Sequence, residues 1–401
     1  MSENTSPWGI LTGIRPVKIA VKLMKEGLSP RETMQYFENE LGVSEEKARL
    51  AVSVAEVELP ITEKMYRRGV SIYVGIPFCP TRCLYCSFVS NSVAGSAKLV
   101  PEYLECLMRE IKYTAEIIRE NNSEIETVYI GGGTPTTLSA DMLDRLFDCM
   151  YGSFDLSKVK EFTVEAGRPD TITREKLETI KKYGIDRISI NPQTMNEETL
   201  RVIGRRHTPE DIYTAMYLAR ECGIGAVNMD IIAGLPGENK AMFVNTVERV
   251  EELKPENTTV HTMSIKRSSR LNENIGEYSL TDGGQVAEMV DYALKRLTAD
   301  GKRPYYLYRQ KNMLGNLENV GYALPGYESL YNIYIMEEIQ TIISLGCGGV
   351  TKTVDRSCDR IERIFNVKEP KDYIERIDEM LHRKDVLKSS TALGYGQPEK
   401  A

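Results

Sequence analysis

Several classes of protein are excluded by what this chain lacks. No apolar run reaches the ~18 residues that a membrane-spanning helix needs, so no membrane span is expected. Basic residues never form a tract of five, no RNA-binding signature is present, and the net charge is −7. Together these argue against a nucleic-acid partner. Residues 1–7 have neither a basic n-region nor an apolar h-region, and the expectation is a chain without a secretory signal. Eight cysteines scattered over 401 residues are unlike a secreted disulfide framework, so a cytoplasmic, reduced setting is expected. Low-complexity segments are absent, as are internal repeats beyond a strand–helix alternation. The length suits two or three domains, or one large α/β barrel with additions, and can bury a sizeable core.

One stretch stands out, Gly75-Ile-Pro-Phe-Cys-Pro-Thr-Arg-Cys-Leu-Tyr-Cys-Ser-Phe88. Cys79, Cys83 and Cys86 form a C-x3-C-x2-C triplet able to hold one metal centre. Thiolate softness favours zinc or an iron–sulfur cluster. A structural zinc site normally takes four ligands, and no fourth Cys or His lies nearby. Cys106 is the nearest, inside what reads as a helix. A [4Fe–4S] cluster held by three cysteines leaves one iron open to a substrate or cofactor.

Residues 1–68 read as a helical segment, with helices over 17–26, from 30 to about 41, and from 44 onward. Its simplest role is docking or capping. From residue 71 strands and helices alternate. Strands are expected at 71–76, 127–130, 161–165, 186–190, 226–231 and 258–265, with helices at 99–120, from 139, 173–183, 208–222 and 239–253. This alternation implies a parallel sheet with right-handed crossovers. Six units suit an open (β/α)6 barrel over 69–270, with chemistry at the C-terminal strand ends. The cysteine loop sits at such an end. Residues 271–401 form an α+β section expected to close the barrel's open side, with a helix at 282–300 and a strand at 304–308. The tail after Leu387 is expected to be mobile.

The other strand ends assemble a candidate site. Gly131-Gly-Gly-Thr-Pro135 follows the second strand but fails as a dinucleotide fingerprint, because Thr136 stands where the third glycine belongs. Its glycines still permit close approach of a ligand to the backbone. Glu165 ends the third strand, Gln193 follows the fourth, and Asp230 lies in the fifth. Buried acids at strand ends are costly unless they meet a partner. Arg205 and Arg206 open the next helix, and an arginine fork suits a carboxylate.

The triplet's spacing resembles that of the radical S-adenosylmethionine (SAM) superfamily. Ile72-Tyr-Val-Gly-Ile-Pro-Phe-Cys79, Gly131-Gly-Gly-Thr-Pro-Thr136, Phe162-Thr-Val-Glu165, Ser189-Ile-Asn-Pro-Gln193, Gly204-Arg-Arg-His207 and Asp230-Ile-Ile-Ala-Gly-Leu-Pro-Gly237 resemble the oxygen-independent coproporphyrinogen III dehydrogenase family. Leu11-Thr-Gly-Ile-Arg-Pro16 and Gly321-Tyr-Ala-Leu-Pro-Gly-Tyr-Glu-Ser329 are similar to its HemZ branch. The resemblance implies that Cys79, Cys83 and Cys86 bind a [4Fe–4S] cluster. It also implies that Tyr73, Tyr85, Gly132, Gly133, Thr134, Glu165, Gln193, Arg205, Asp230, Ser264 and Val350 contact SAM. The better-known branch has His where this chain has Gly75, which puts in question any role tied to that position. Proteins of the HemZ branch usually begin further upstream, which implies a shortened start here.

By that resemblance, a ferredoxin or flavodoxin supplies an electron, SAM is cleaved to a 5′-deoxyadenosyl radical, and the radical takes hydrogen from a substrate propionate. Loss of CO2 and an electron leaves a vinyl group. Two rounds convert coproporphyrinogen III to protoporphyrinogen IX in anaerobic haem biosynthesis. Neither residues nor resemblance single out a catalytic side chain. A tetrapyrrole needs cations for its carboxylates. Lys266, Arg267 and Arg270, or Lys302, Arg303, Arg309 and Lys311, could serve, with Tyr305, Tyr306, Tyr308 and Tyr322 as flat faces; a solvated basic face is the other reading. The family also includes haem chaperones and porphyrin-modifying methyltransferases or ring-opening enzymes. For a chaperone, haem ligands would come from His207, His261, His382, Cys347 or Cys358.

Overall fold

The computed structural model describes residues 6–13, 15–88, 91–185, 187–355 and 360–389. Ile14, Asp186, Cys358 and the tail 390–401 lie outside the described residues, as do the first five. Three helices come first, α1 Val17–Lys25, α2 Pro30–Asn39 and α3 Glu45–Glu63. Each of the last two begins on a side-chain cap. Ser29 and Glu32 form a reciprocal capping box, and Ser44 accepts from the Lys47 amide. These helices are bolted to the sheet. The Trp8 ring is fully buried, and its Nε1 donates to Glu318 Oε2 at 2.8 Å, while Lys47 Nζ reaches Glu318 Oε1 at 2.7 Å.

Six parallel strands then appear in chain order: β1 Gly69–Ile76, β2 Glu124–Gly132, β3 Glu161–Glu165, β4 Arg187–Ser189, β5 Ala226–Ala233 and β6 Asn257–Thr262. The crossovers are α4 Leu99–Glu120, α5 Ala140–Ser153, α6 Arg174–Lys182, α7 Pro209–Glu221 and α8 Lys240–Glu252. This is the expected α/β alternation around one largely parallel sheet. Burial on both faces explains the apolar strands. Ile72, Val74 and Ile76 share a core with Leu104, Leu107 and Ile111 of α4. Those α4 residues recur at helical spacing and give that helix its buried stripe.

Beyond β6 the chain runs through α9 Gly283–Ala299 into β7 Arg303–Tyr308 and β8 Asn319–Ala323, with β8 antiparallel to both β6 and β7. Helix α10 Leu330–Glu337 follows, then β9 Thr341–Leu345, β10 Val350–Asp355 and β11 Arg360–Phe365. β9 is a seventh parallel strand, on the far side of β1. The sheet order is β11-β10-β9-β1-β2-β3-β4-β5-β6-β8-β7. Strands after residue 271 therefore extend both sheet edges. α10 packs among β2, β7 and α3, with the Tyr331 ring stacked on Tyr129 at 4.6 Å.

Candidate functional site

The cysteine loop is tied down by its own backbone. Leu84 N donates to Ile203 O, Leu271 N donates to Leu84 O, and Thr81 Oγ1 donates to Gly204 O at 2.9 Å. Leu84 also packs with Leu200, Ile203, Ile232, Leu235, Met263 and Leu271. An apolar anchor thus fixes a loop whose neighbours are thiols. The glycine turn after β2 lies against the loop's start: Gly133 N donates to Ile76 O and Thr134 N to Phe78 O, both at 2.8 Å. A Cβ on Gly133 would sit 2.6 Å from Phe78 O, and Gly132 has φ +105°. Only glycine fits both places.

The loop and the strand ends enclose a cavity of about 370 Å³. Cys79, Cys83, Cys86, Tyr85, Gly132, Gly133, Thr134, Glu165, Gln193, Arg205, Asp230 and Ser264 all line it. Gln193 holds a left-handed backbone (φ 65°), fixed because its amide donates to Asp230 O and its carbonyl accepts from Ile232 N. Two expected residues do not line the cavity. Tyr73 has its ring 6.2 Å from that of Tyr129, and its hydroxyl would lie 3.4 Å from a Cβ on Gly132. Val350 opens β10, two strands from β1, paired with Phe365.

Burial pushes the Glu165 carboxyl up to about 7, against a hydrogen bond from Tyr129 Oη at 2.6 Å. Asp230 moves the other way. Burial opposes its ionisation, but His261 at 3.6 Å, with Asn228 and Thr259, outweighs that and holds it below the usual range. Burial governs Glu165 and hydrogen-bond partners govern Asp230, which sets the two acids apart. Arg205 is buried, donates to Asn191 O and to Tyr85 Oη, and its Nε has no partner. An orphaned guanidinium nitrogen on a cavity wall fits an anionic ligand group.

The donor set also discriminates between metals. None of the three cysteines is in a disulfide. Among the described residues, no three Cys, His, Asp or Glu side chains gather closely enough to hold one ion. A single zinc needs such gathering, whereas a cluster presents a different iron to each thiolate. Cys106 cannot complete a tetrahedral site here, because it is buried in α4 with its Sγ facing Ile374 O. The residues present fit a cluster bound through three cysteines.

The cavity also gathers groups that sequence reading passed over. Tyr129, Arg168, Asn191, Asn228 and Asn332 face it, and beside them stands His261, which the sequence offered only as a haem ligand. Asn191 was visible inside the Ser189–Gln193 motif; the others needed the fold. Of the basic groups, Lys266 lines the cavity, and Arg267 and Arg270 are exposed just beyond it. None of the second group lines it, although Lys311 is exposed beside it, its carbonyl accepting from Ser264 Oγ at 3.0 Å. Lys302 is buried against Glu251, and Arg309 is spent on Leu11 O and Asn316. Arg303 pairs with Ala323, which pairs with Asn257 at the start of β6, so it lies at the opposite end of the barrel. Tyr306 and Tyr308 line the cavity; Tyr305 and Tyr322 do not.

Residues 73–250 match the family model of the radical SAM superfamily. The chain is 46% identical, over 93% of its length and 75% of the relative's, to the oxygen-independent coproporphyrinogen-III oxidase-like protein HemZ of Bacillus subtilis. It is 31% identical, over 71% of its length and 73% of the relative's, to the heme chaperone HemW of the same organism. The solved coproporphyrinogen III oxidase HemN of Escherichia coli, a radical SAM enzyme, superposes with a TM-score of 0.60. That likeness covers 80% of this chain and 72% of the other at 23% identity, and it concerns the fold.

Proposed function

The chain belongs to the radical SAM superfamily and, within it, to the oxygen-independent coproporphyrinogen III oxidase-like family in its HemZ branch, and from that premise we propose that it decarboxylates two propionates of coproporphyrinogen III to vinyl groups. Its cofactors are a [4Fe–4S] cluster and SAM, which when bound supply a hydrogen-abstracting radical. Cys79, Cys83 and Cys86 would hold the cluster. Arg205 offers its free Nε to a carboxylate, and Glu165 and Asp230 offer charge to cationic groups. The bare backbone of Gly132 and Gly133 admits a ligand closely, and Tyr85, Thr134, Gln193 and Ser264 complete the wall. Tyr73 stacks beside Tyr129, with its hydroxyl next to the Gly132 backbone.

The observation that carries the reading is that one cavity holds both halves of such a site. The cysteine loop forms one wall, and Lys266, Tyr306 and Tyr308 stand on another. A propionate held by Lys266 would be fixed close to the cofactor side while bulk water is kept away. A ferredoxin or flavodoxin is the expected electron donor.

The test is a product inventory. Reduced protein, SAM and coproporphyrinogen III, incubated without oxygen, should give 5′-deoxyadenosine, methionine, CO2 and a tetrapyrrole with new vinyl groups. SAM cleavage with the tetrapyrrole returned intact would sink the decarboxylase reading, and a product heavier by a methyl unit would replace it with methyl transfer. A chaperone reading is favoured by one observation, that His261 stands in the cavity wall. It predicts tight haem binding whose Soret band changes in His261→Ala, with no turnover of the tetrapyrrole.

A further inference from the structure

Arg168 stands three residues past Glu165, in the turn that leaves β3, and is only 3% exposed. Its guanidinium is fixed from one edge by Asp170. Nε and Nη2 donate to Oδ1 and Oδ2, each at 3.0 Å. The remaining nitrogen, Nη1, reaches into the cysteine loop, at 3.1 Å from Thr81 Oγ1 and 3.9 Å from Cys83 Sγ. A buried cation is costly to maintain unless its donors are used. Here each donor group has a defined target, and one of them is a thiol of the triplet. Arg205 is a second guanidinium beside Cys83. Cys79 accepts from a neutral donor, Thr134 Oγ1 at 3.5 Å. Cys83 thus has two buried guanidinium groups beside it.

We propose that Arg168 is a positioning residue for the iron–sulfur cluster, donating to the Cys83 sulfur and making the cluster easier to reduce. The inference rests on the cluster being held by Cys79, Cys83 and Cys86. Reduction adds an electron to a unit already made anionic by its thiolates. A fixed positive charge and a hydrogen bond at a ligating sulfur stabilise the reduced form more than the oxidised one. Asp170 sets the geometry and offsets part of the charge from the far edge of the fork. Lysine cannot reproduce this arrangement, since it lacks the fork that binds Asp170 bidentately while a third nitrogen points elsewhere.

The experiment is an EPR-monitored redox titration of the reconstituted protein, with iron content, melting temperature and the SAM-induced change in EPR line shape recorded beside it. Arg168→Gln should keep its iron and its response to SAM. At a fixed solution potential its ratio of reduced to oxidised cluster should fall about tenfold, a shift of about 59 mV to more negative potential for a one-electron couple. Arg168→Lys should recover part of the loss. A full cluster at unchanged potential in Arg168→Gln overturns the proposal. Where that variant takes up no iron, Asp170→Asn decides. Removing the carboxylate leaves the guanidinium's charge uncompensated, so the potential should rise, and an unchanged or lower value overturns the proposal. Failure of the cluster reading itself looks different, because iron would then survive in Cys83→Ala.

Discussion

Glu165 shows how the cavity sets the state of a single group. Burial raises its carboxyl to about 7, well above its ordinary value of 4.5. Between those values the native state holds a proton that the unfolded chain has released. Stability must therefore fall as pH rises from about 4.5 to about 7 and stay lowered above that. Glu165→Gln removes this penalty and keeps an acceptor for Tyr129 Oη. Relative to the parent, the variant should gain about 1–2 kcal/mol between pH 4.5 and pH 8, a figure discounted because the group lines an open cavity. Thermal melts of both proteins across that range check it. A constant offset at every pH would mean that Glu165 is ionised throughout. The same substitution should weaken SAM binding, which equilibrium dialysis would show.

At the scale of elements, the clearest device is the clamp on the loop after β9. Glu110 of α4 accepts from Gly346 N at 2.8 Å, from Asn366 Nδ2 at 2.8 Å and from Tyr373 Oη at 2.5 Å, and it faces Lys384 Nζ at 3.3 Å. Glu110 and Lys384 are both fully buried. The loop so held rests against β1, since a Cβ on Gly346 would lie 2.6 Å from Gly75 O. A Cβ on Gly75 would meet Leu345 O at 3.4 Å, so the small residue at 75 and the loop are fitted to each other. Glu110→Leu should destabilise the fold by roughly 3–5 kcal/mol by stranding Lys384, and adding Lys384→Met should restore much of it. Melting temperatures of the single and double variants test this, and equal losses in both would deny the coupling. None of this was legible in the sequence. Glu110 reads as one more charge on a helix until the fold brings four elements to it. The barrel strands and crossover helices were legible because period and caps agree along 69–270. α10 was missed because Leu330–Glu337 is apolar on all sides and shows no stripe. β9 was missed because a short apolar run does not reveal its type. The strand-end residues could be found one by one, whereas Arg168, Tyr129 and His261 acquire meaning only when separate strands converge.

The whole molecule is polar in the sense that its two ends do different work. The N-terminal end of the barrel is plugged by the segment after β8. Glu161 accepts from Ser329 Oγ at 2.8 Å and Leu330 N at 2.7 Å, and Glu126 accepts from Tyr334 Oη at 3.0 Å and Gln340 Nε2 at 2.7 Å. Residues 329–340 thus tie down the bottom, and of the stretch 321–329 that the sequence offered as a family likeness, Ser329 takes part. The opposite end carries the cysteine loop, the cavity and a rim of Arg82, Lys266, Arg267 and Arg270 on a chain whose net charge is −7. Position along the barrel axis should therefore decide which cations matter to an anionic tetrapyrrole. Lys266 lines the cavity, and its burial lowers its pKa, so a carboxylate that pairs with it offsets the cost of that burial. Lys266→Ala should weaken coproporphyrinogen binding by ~1.5–3 kcal/mol, the range for hydrogen bonds to charged groups. Arg267→Ala and Arg270→Ala, at exposed positions, should each cost no more than about 1 kcal/mol and lose their effect as salt is raised. Arg303→Ala, at the far end, should cost nothing. Anaerobic equilibrium titrations at low and high salt separate these cases. Equal losses in Lys266→Ala and Arg303→Ala would remove the cavity as the tetrapyrrole's site, because no single ligand pose reaches both ends of the sheet.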